Sequence, residues 1–428
     1  MADEWVERRL GELTENCDGR RVPVREGDRR SGPYPYYGAS GIVDYVDGFI
    51  FDGEYLLIAE DGENLRTRNT PIAFLGRGKF WVNNHAHIVR GNNGADTRFL
   101  MYALSATDIS GYLTGSTMPK LTQGNLNRIP LLTPPLREQL AIAQILGTLD
   151  DKIGLNRRMN ETLEAMARAL FKSWFVDFDP VRAKAEGRDT GLPTPVADLF
   201  PDSLEDSKIG LIPRRWRLVD LGSCCRRVAM GPFGSDIKTD NFIDTGVPVV
   251  RGGNLTDGFI DEGFVFVSDL KADELKNANA FPGDIVITHR GTLGQIGIIP
   301  SPSRYPRYVV SQSQMLLSVN PEIATARYVF EYLRSPSGQH ALLVNTSQTG
   351  VPAIARPTTS LKMMPLLLPP LDVLKAFDRF AASLAERIVL ATEQSRTLAA
   401  IRDALLPRLI SGELRLKNVE RYVKGATI

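Results

Sequence analysis

The sequence repeats itself, and this internal repeat limits what the chain can fold into more than any other feature does. Trp5 and the dipeptide Leu10-Gly11 return at a single offset as Trp216 and Leu221-Gly222. Three further segments return in the same order: residues 53–58 as 283–288, residues 80–84 as 308–312, and residues 126–136 as 361–371. Matches that recur in one order predict two domains of the same fold, each built from one copy.

A long helix is predicted after each copy. Each copy ends in Pro-Pro-Leu, and no proline follows for more than thirty residues. This pattern indicates a helix start, because proline is tolerated at the first helical position and disrupts a helix further along. We expect the first helix from about Arg137 to Phe175 and the second from about Asp372 to Leu406.

Apolar residues recur along both helices in steps of four and three, which is the heptad spacing of a coiled coil. The seam of the first helix has a polar pair near its centre and comprises Ile142, Leu146, Leu149, Ile153, Asn156, Asn160 and Leu163. The matching seam of the second helix includes Leu384, Ile388, Ser395, Leu398 and Leu405. Arg402 interrupts it, and we expect Ile401 to serve in its place. An antiparallel coiled coil is predicted; the alternative is that each stripe packs on its own domain.

The predicted fold class is α+β, with two β-rich domains in a pseudo-twofold repeat, separated by the two long antiparallel helices. Each domain has short strands, many glycines and one short helix late in its sequence, at about 97–105 and 326–334. The expected segments are the first domain at 1–135, the first long helix at 136–177, a proline-rich and charged connector at 178–212, the second domain at 213–370, the second long helix at 371–406 and a tail at 407–428.

The composition, 43% hydrophobic and 24% charged, is typical of a globular protein. The first residues lack a signal-peptide profile, and no segment approaches the roughly 18 apolar residues of a membrane span. We therefore expect a cytoplasmic protein with no membrane contact. Cys17, Cys224 and Cys225 lack Cys-x-x-Cys spacing, so neither a disulfide nor a zinc site is expected.

No catalytic motif is convincing in its context. Residues 74–78 have the Phe-x-Gly-x-Gly letters of adenine methyltransferases, but the chain continues as a strand, which favours a hairpin turn. A phosphate-binding Gly-x-x-x-x-Gly-Lys loop is absent from the sequence. His85 and His87 would share one face of a strand, as metal ligands often do. No third ligand is suggested nearby, so base binding or packing is favoured, and neither a metal site nor an enzyme is expected.

Several motifs together resemble the specificity subunit of type I restriction-modification systems, and the resemblance covers nearly the whole chain. They lie at residues 115–121, 129–143, 149–153, 170–180 and 406–414. Residues 37–43 and 60–62 also resemble a common variety of target-recognition domain. The second copy departs from the pattern, because Asp372-Val373-Leu374 stands where the first has Arg137-Glu138-Gln139. This departure bears on any partner contact that relies on those three residues.

The resemblance implies a division of labour in which this chain recognises DNA sequence and is not itself catalytic. The expected partners are double-stranded DNA, two modification subunits that methylate adenine, and restriction subunits with nuclease and translocase activity. No cofactor is expected in this chain, since S-adenosylmethionine, ATP and Mg would belong to the partner subunits. About 36 helical residues span roughly 54 Å, more than the roughly 34 Å of one DNA turn. Two unlike domains spaced by such helices would read an asymmetric target in two halves.

Polar side chains in loops at equivalent positions of the two copies are the candidates for DNA contact. They are Arg77, Asn84, His85, Ser116, Thr117, Lys120 and Gln123 in the first copy, and Arg251, Arg290, Gln312, Gln348, Thr349 and Arg356 in the second. Asparagine and glutamine can pair with adenine, and arginine with guanine. The alternative for each residue is a hydrogen bond to the backbone of its own loop.

The net charge of +1 gives no strong electrostatic footprint for nucleic acid, so DNA affinity requires a local patch or a positively charged partner. Two other classes of function stay open. Methyl transfer by the purified chain alone would indicate a stand-alone enzyme. A tandem scaffold that binds protein or glycan would be recognised by binding that is insensitive to salt, whereas binding through DNA phosphates weakens steeply as salt is added.

Overall fold

The structure is a computed structural model that describes residues 5–234, 236–256, 258–347 and 350–416. The chain divides into two compact units: Met1–Arg158 with Leu390–Ile428, called unit 1, and Met159–Val389, called unit 2. Each unit therefore contains one copy of the repeat and a part of each long helix.

Among its described residues, unit 1 begins with eight strands and four short helices. The strands are β1 (Val6–Arg9), β2 (Thr14–Asn16), β3 (Ser31–Gly38), β4 (Gly41–Val46), β5 (Phe51–Ala59), β6 (Ala73–Val82), β7 (Ala86–Gly91) and β8 (Pro130–Thr133). The helices are α1 (Leu10–Leu13), α2 (Asn64–Thr67), α3 (Thr97–Ala106) and α4 (Gln123–Arg128), and the long helix α5 (Leu136–Phe175) follows them.

Six strands of unit 1 form one sheet in the order β2-β7-β5-β6-β3-β4, and its central strand β5 is covered on both faces. Leu56 and Ile58 belong to the core that includes Phe99 of α3, whereas Leu57 packs with Phe80 on the other face. Burial on both faces explains why the second half of this strand, residues 55–59, is a continuous apolar run with no alternation.

Unit 2 continues with fourteen strands and six further helices among its described residues. The strands are β9 (Leu204–Ser207), β10 (Gly210–Pro213), β11 (Arg217–Asp220), β12 (Cys225–Met230), β13 (Val247–Val250), β14 (Val265–Val267), β15 (Asn279–Ala280), β16 (Ile285–Thr288), β17 (Ile296–Ile298), β18 (Tyr308–Val310), β19 (Gln314–Val319), β20 (Thr346–Ser347), β21 (Ala353–Ile354) and β22 (Pro365–Leu368). The helices are α6 (Asp179–Ala185), α7 (Thr194–Ala197), α8 (Asp269–Glu274), α9 (Ala326–Arg334), α10 (Pro336–Leu343) and α11 (Pro357–Lys362), followed by the long α12 (Leu371–Ile410).

Two four-stranded sheets form the centre of unit 2, in the orders β12-β19-β16-β17 and β14-β13-β18-β15. The segment predicted as a connector is packed against this unit. Phe200 meets Trp174 edge to face at 5.0 Å between ring centroids, and Phe178 meets Trp216 at 5.7 Å. The aromatic residues of the segment therefore contribute to the core of unit 2.

The repeated Leu-Gly dipeptide has the same structural role in both units. Strands β1 and β8 pair antiparallel in unit 1, as β11 and β22 do in unit 2. A Cβ on Gly11 would lie 2.9 Å from the Cβ of Asn127, and one on Gly222 would lie 2.9 Å from that of Lys362. Glycine recurs at this position because the neighbouring segment leaves no space for a side chain.

Within unit 1, the first part of α5 lies antiparallel to the last part of α12. Asn156 is fully buried, and its Nδ2 donates to Gln394 Oε1 at 2.9 Å and to Ser395 Oγ at 3.2 Å. Six residues earlier in α5, Asp150 accepts a 2.7 Å hydrogen bond from Arg402 Nη1. The expectation that Ile401 replaces Arg402 in the seam is wrong. Ile401 is 43% exposed. Arg402 keeps the seam position that faces α5, because its guanidinium donates a hydrogen bond to Asp150.

Within unit 2, the last part of α5 packs on the first part of α12 through aromatic residues. Phe377 contacts Phe175 at 5.1 Å and Trp174 at 6.1 Å between ring centroids. The α+β class predicted from the sequence is confirmed. The short helices α3 and α9 also occur at the predicted positions.

The residues of the predicted seam differ in burial. Ile142, Leu146, Asn156 and Leu163 are buried, whereas Leu149, Ile153, Asn160, Leu384, Ile388, Ser395, Leu398 and Leu405 are half-buried. Ile142 and Leu146 join the core that contains Phe99 of unit 1. These two positions therefore pack on the domain, as the alternative to the coiled coil proposed.

Candidate nucleic-acid interface

Three stretches of unit 1 meet where β5 ends. Gly62 donates its N–H to Pro119 O at 3.1 Å, and Leu121 donates to Glu60 O at 2.8 Å. The N–H of Glu60 in turn donates to His85 O at 2.9 Å. These three backbone hydrogen bonds, called the frame below, bring residues 60–62, 84–85 and 114–121 together, although they are far apart in the sequence.

Unit 2 contains the same hydrogen-bonded frame where β16 ends. Gly291 donates to Pro352 O at 2.8 Å, Ile354 donates to His289 O at 2.9 Å, and His289 donates to Ser313 O at 3.0 Å. The two turn glycines have φ values of +109° at Gly62 and +93° at Gly291. Residues other than glycine rarely adopt this backbone conformation. When the equivalent hydrogen bonds of the two units are matched, Gln312 aligns with Asn84 and Arg356 aligns with Gln123.

Six of the seven candidates of unit 1 surround this frame. Asn84 and His85 are exposed in the turn between β6 and β7. Ser116 and Thr117 lie in the exposed loop that Thr114 and Lys120 close by pairing with each other. Gln123, the first residue of α4, is also exposed. The six side chains thus form one exposed polar surface.

Carboxylates accompany the cationic groups on the surface of unit 1. His85 Nδ1 lies 2.8 Å from Asp61 Oδ2, and Lys120 Nζ lies 3.3 Å from Glu60 Oε1. Arg21 Nη1 contacts the same carboxylate at 2.7 Å. Burial acts to raise the pKa of Glu60, but the hydrogen bond from Arg21 and the nearby positive charges outweigh it and lower that pKa. Glu60 is therefore ionised and offsets the positive charge around it.

His87 lies beneath this surface and is 1% exposed. Its Nδ1 is 2.6 Å from Asp18 Oδ2, and its Nε2 is 2.7 Å from Leu121 O. Burial acts to lower the pKa of His87, but the Asp18 carboxylate and the Leu121 carbonyl outweigh it and raise that pKa. Because both neighbours are acceptors, the geometry favours an imidazolium that donates from both nitrogens. His87 thereby anchors the loop that ends at Leu121.

Arg77, the remaining candidate of unit 1, lies elsewhere. Its Nε contacts Glu54 Oε2 at 3.0 Å, and its Nη1 contacts Asp151 Oδ1 of α5 at 3.5 Å. It lines a separate cleft of about 760 Å³ that α5 and α12 also border. Arg77 therefore joins the domain to the helices and is not part of the polar surface.

Three candidates of unit 2 converge on one cleft of about 600 Å³. Arg251, Arg290 and Gln312 come from separate parts of the sequence, and all three line it and are exposed. Arg356 is exposed at the start of α11 and does not line the cleft. The last two candidates, Gln348 and Thr349, lie outside the described residues.

The cleft of unit 2 differs from the surface of unit 1 in its charge. Among the described residues that line it, two are arginines and none is an aspartate or glutamate. The polar lining includes Thr288, whose Oγ1 donates to Gln295 Oε1 at 3.2 Å. Such a cleft suits a polyanion, because cations without neighbouring carboxylates favour phosphate.

Sequence reasoning missed the short segment of residues 232–234, which also lines the cleft. Phe233 in this segment is 83% exposed. The sequence pattern that could have identified it is an aromatic residue between two nearby glycines, Gly231 and Gly234, which indicates a tight loop.

The described part of the chain has no group of three or more His, Cys, Asp or Glu side chains placed to hold a metal ion. Nor does any helix in it combine the length and apolarity needed to cross a membrane.

Comparisons with known proteins agree with the sequence motifs. The model of the type I restriction modification DNA specificity domain matches residues 2–165. A Haemophilus influenzae protein that bears the name of a type I restriction enzyme specificity subunit is 41% identical over 34% of this chain and 37% of its own length. The type I restriction enzyme MjaIX specificity subunit of Methanocaldococcus jannaschii is 23% identical over 97% of this chain and 95% of its own.

The fold also matches a solved structure, the S subunit of a type I restriction-modification system from M. genitalium. The TM-score is 0.57 at 16% identity, and the match covers 95% of this chain and 96% of that one. The resemblance inferred from the motifs is confirmed. Residues 2–165 match the model of the type I restriction modification DNA specificity domain, and nearly the whole chain is similar to type I restriction enzyme specificity subunits.

Proposed function

We propose that this chain is the non-catalytic subunit that sets the DNA target of a type I restriction-modification complex. In this role it recognises an asymmetric target in two halves, and its long helices dock the modification subunits. S-adenosylmethionine, ATP and Mg are then used by partner subunits, and the complex acts on double-stranded DNA in the cytoplasm.

The observation that carries the proposal is that one frame presents different side chains in the two units. Asn84, His85 and Lys120 surround the frame of unit 1, whereas Arg290 and Gln312 line the cleft of unit 2. Two domains of one fold that recognise different DNA sequences need different polar side chains at equivalent positions, because proteins recognise sequence through hydrogen bonds to base edges.

Methylation mapping tests the proposal directly. Genomic DNA is compared between cells that make this chain with its modification subunit and cells in which only this chain is deleted. We expect a split, asymmetric, adenine-methylated motif that disappears on deletion. Unchanged adenine methylation by an active modification subunit would overturn the proposal and favour the scaffold, and methyl transfer by the purified chain alone would favour the enzyme.

The long helices are proposed to set the spacing between the two halves of the target. Each contains 40 residues. One added heptad lengthens a helix by about 10.5 Å, which equals about 3 base pairs at roughly 3.4 Å per pair. Adding one heptad to both α5 and α12 should lengthen the mapped spacer by about 3 base pairs, while an unchanged spacer would contradict this role.

A further inference from the structure

Phe233 is the most exposed large hydrophobic side chain among the described residues, at 83%. A single exposed apolar residue normally needs no explanation. Phe233 differs because it lines the cleft that also contains Arg251 and Arg290. An aromatic ring beside cations, with no carboxylate in the described lining, combines the two features with which proteins bind nucleic-acid bases and phosphates.

The loop that carries Phe233 is held in place although the ring is exposed. Gly231 donates its N–H to Gln314 O at 2.8 Å, and Phe233 donates its N–H to Asp236 Oδ2 at 3.1 Å. The N–H of Asp236 returns a 2.9 Å bond to Phe233 O. Hydrogen bonds therefore hold the backbone on both sides of Phe233, while the ring itself is exposed.

The two glycines beside Phe233 lie against the stretch that carries the candidate base reader Gln312. A Cβ on Gly231 would lie 1.9 Å from Ser311 O, and a Cβ on Gly234 would lie 2.4 Å from Gln312 Oε1. At Gly231 only glycine permits this approach, because the nearest atom is a backbone oxygen. The loop that carries the exposed ring thus lies against Gln312, and both residues line the same cleft.

We propose that Phe233 inserts between two stacked base pairs of the half-site bound by unit 2, where it opens the base step beside Gln312. Apolar side chains inserted in this way unstack a step and kink the duplex. The opened step brings base edges within reach of Gln312 and Arg290, while Arg251 is available to the backbone phosphates. This inference rests on the proposed function and specifies how unit 2 would read its half-site.

The test uses the full chain in complex with its modification subunit and duplexes containing the mapped target. 2-Aminopurine replaces one base at a time along the half-site of unit 2, since its fluorescence rises when a base unstacks. The wild-type complex should give a rise at one step. Phe233→Ala should abolish that rise and weaken binding roughly 5- to 150-fold, the range expected when one stacked aromatic ring is removed. Phe233→Leu should retain most of the rise, because leucine can also act as a wedge.

Leu270→Ala is the matched control, because Leu270 is 77% exposed in α8 of the same unit and does not line the cleft. If the wild-type complex binds its target specifically but Phe233→Ala behaves like Leu270→Ala, the wedge is wrong and the proposed function stands. If Phe233→Ala instead weakens assembly with the modification subunit in the absence of DNA, Phe233 contacts protein and the wedge is also wrong. Absence of specific binding by the wild-type complex would contradict the proposed function itself.

Discussion

The two units share one hydrogen-bonded frame but differ in how they treat the charge around it. In unit 1, Glu60 is shared by Arg21 and Lys120, and Asp61 contacts His85. In unit 2, His289 and Arg290 align with those two acidic residues, and no carboxylate lines the cleft among its described residues. The frame is thus preserved by backbone bonds while the side chains diverge. We therefore expect unit 2 to supply more of the affinity for phosphate than unit 1 does.

The helical packing differs between the units as strongly as the charge does. Unit 2 joins its parts of α5 and α12 through aromatic rings. In unit 1, Leu146 and Leu409 of the two helices belong to one apolar core, and Asn156 and the Asp150–Arg402 pair add polar contacts. A buried aromatic ring contributes more to stability than a partly exposed ion pair does. We therefore expect truncation of an aromatic contact in unit 2 to cost more stability than truncation of the Asp150–Arg402 pair in unit 1.

Trp174→Ala should have the largest effect on the free energy of unfolding. Trp174 is 1% exposed and contacts Phe200 and Phe377, so its removal should destabilise unit 2 by about 3–5 kcal/mol. Hydrogen exchange of the full chain should report the change at β16 and not at β5 of unit 1. Equal loss of protection at β16 and β5 would show that the stabilisation by Trp174 is not specific to unit 2.

Removing both arginines of the unit 2 cleft should have the next largest effect, measured on DNA binding by the complex. Arg251→Ala with Arg290→Ala should weaken specific binding roughly 10- to 100-fold. The slope of log K against log salt should become shallower by about 0.9 for each DNA phosphate that an arginine no longer neutralises. Lys120→Ala in unit 1 should cost less, because Glu60 already offsets that charge. A larger effect of Lys120→Ala would reverse the proposed contrast.

Two buried histidines should make the units respond to pH in opposite directions. Because the pKa of His87 is raised, its stabilisation of unit 1 is present below about pH 6.5 and is lost as pH rises through the raised value. Burial lowers the pKa of His289, so its contribution to unit 2 is present above about pH 6.5 and is lost as pH falls through the lowered value.

Hydrogen exchange corrected for its intrinsic pH dependence measures both responses in one sample. Protection of the Leu121 N–H should weaken toward high pH, and protection of the Ile354 N–H should weaken toward low pH. His87→Gln should remove the first dependence and leave the second unchanged. If both amides lose protection in the same direction, the assigned protonation states are incorrect.

Arg402→Ala should have the smallest effect. The Arg402 and Asp150 side chains are 31% and 33% exposed, so solvent weakens their attraction and the pair should contribute about 1 kcal/mol or less. The midpoint temperature of thermal unfolding of the full chain should fall only slightly, and Arg402→Lys should give a shift of similar size. A destabilisation comparable with that of Trp174→Ala would show that the polar contacts of unit 1 are as important as the aromatic contacts of unit 2.

The repeat allowed the sequence to predict the order of the elements, because a strand or helix supported by two aligned copies is better determined than one read alone. The short helices α3 and α9 and both long helices follow from this pairing. Ile401 was predicted incorrectly because the heptad pattern counts apolar residues and cannot anticipate that Asp150 accommodates Arg402.

The departure at Asp372-Val373-Leu374 is explained by internal contacts that the sequence could not reveal. Glu138 Oε2 accepts a 2.9 Å hydrogen bond from Trp5 Nε1. Gln139, which is fully buried, accepts from the N–H of Asp96 through Oε1 at 2.9 Å. Leu374, which is also fully buried, belongs to the apolar core of unit 2. These differences concern the packing of each domain on its helix.

The candidate site was predictable where side chains follow the repeated frame and less so elsewhere. Asn84 and Gln312 align because each directly precedes the residue whose carbonyl accepts the equivalent backbone hydrogen bond, from Glu60 in unit 1 and from His289 in unit 2. Arg77 could not be placed from the sequence, because its pairing with Asp151 joins segments more than seventy residues apart. Phe233 was missed because the spacing of a loop residue does not reveal its exposure.

The most direct test of the account replaces one domain and maps methylation. Residues 5–133 are exchanged for the corresponding domain of another specificity subunit, and genomic adenine methylation is mapped in cells with the same modification subunit. We predict that one half of the motif changes while the other half and the spacer are retained. A change in both halves, or in neither, would contradict the claim that the two units read separate halves of the target.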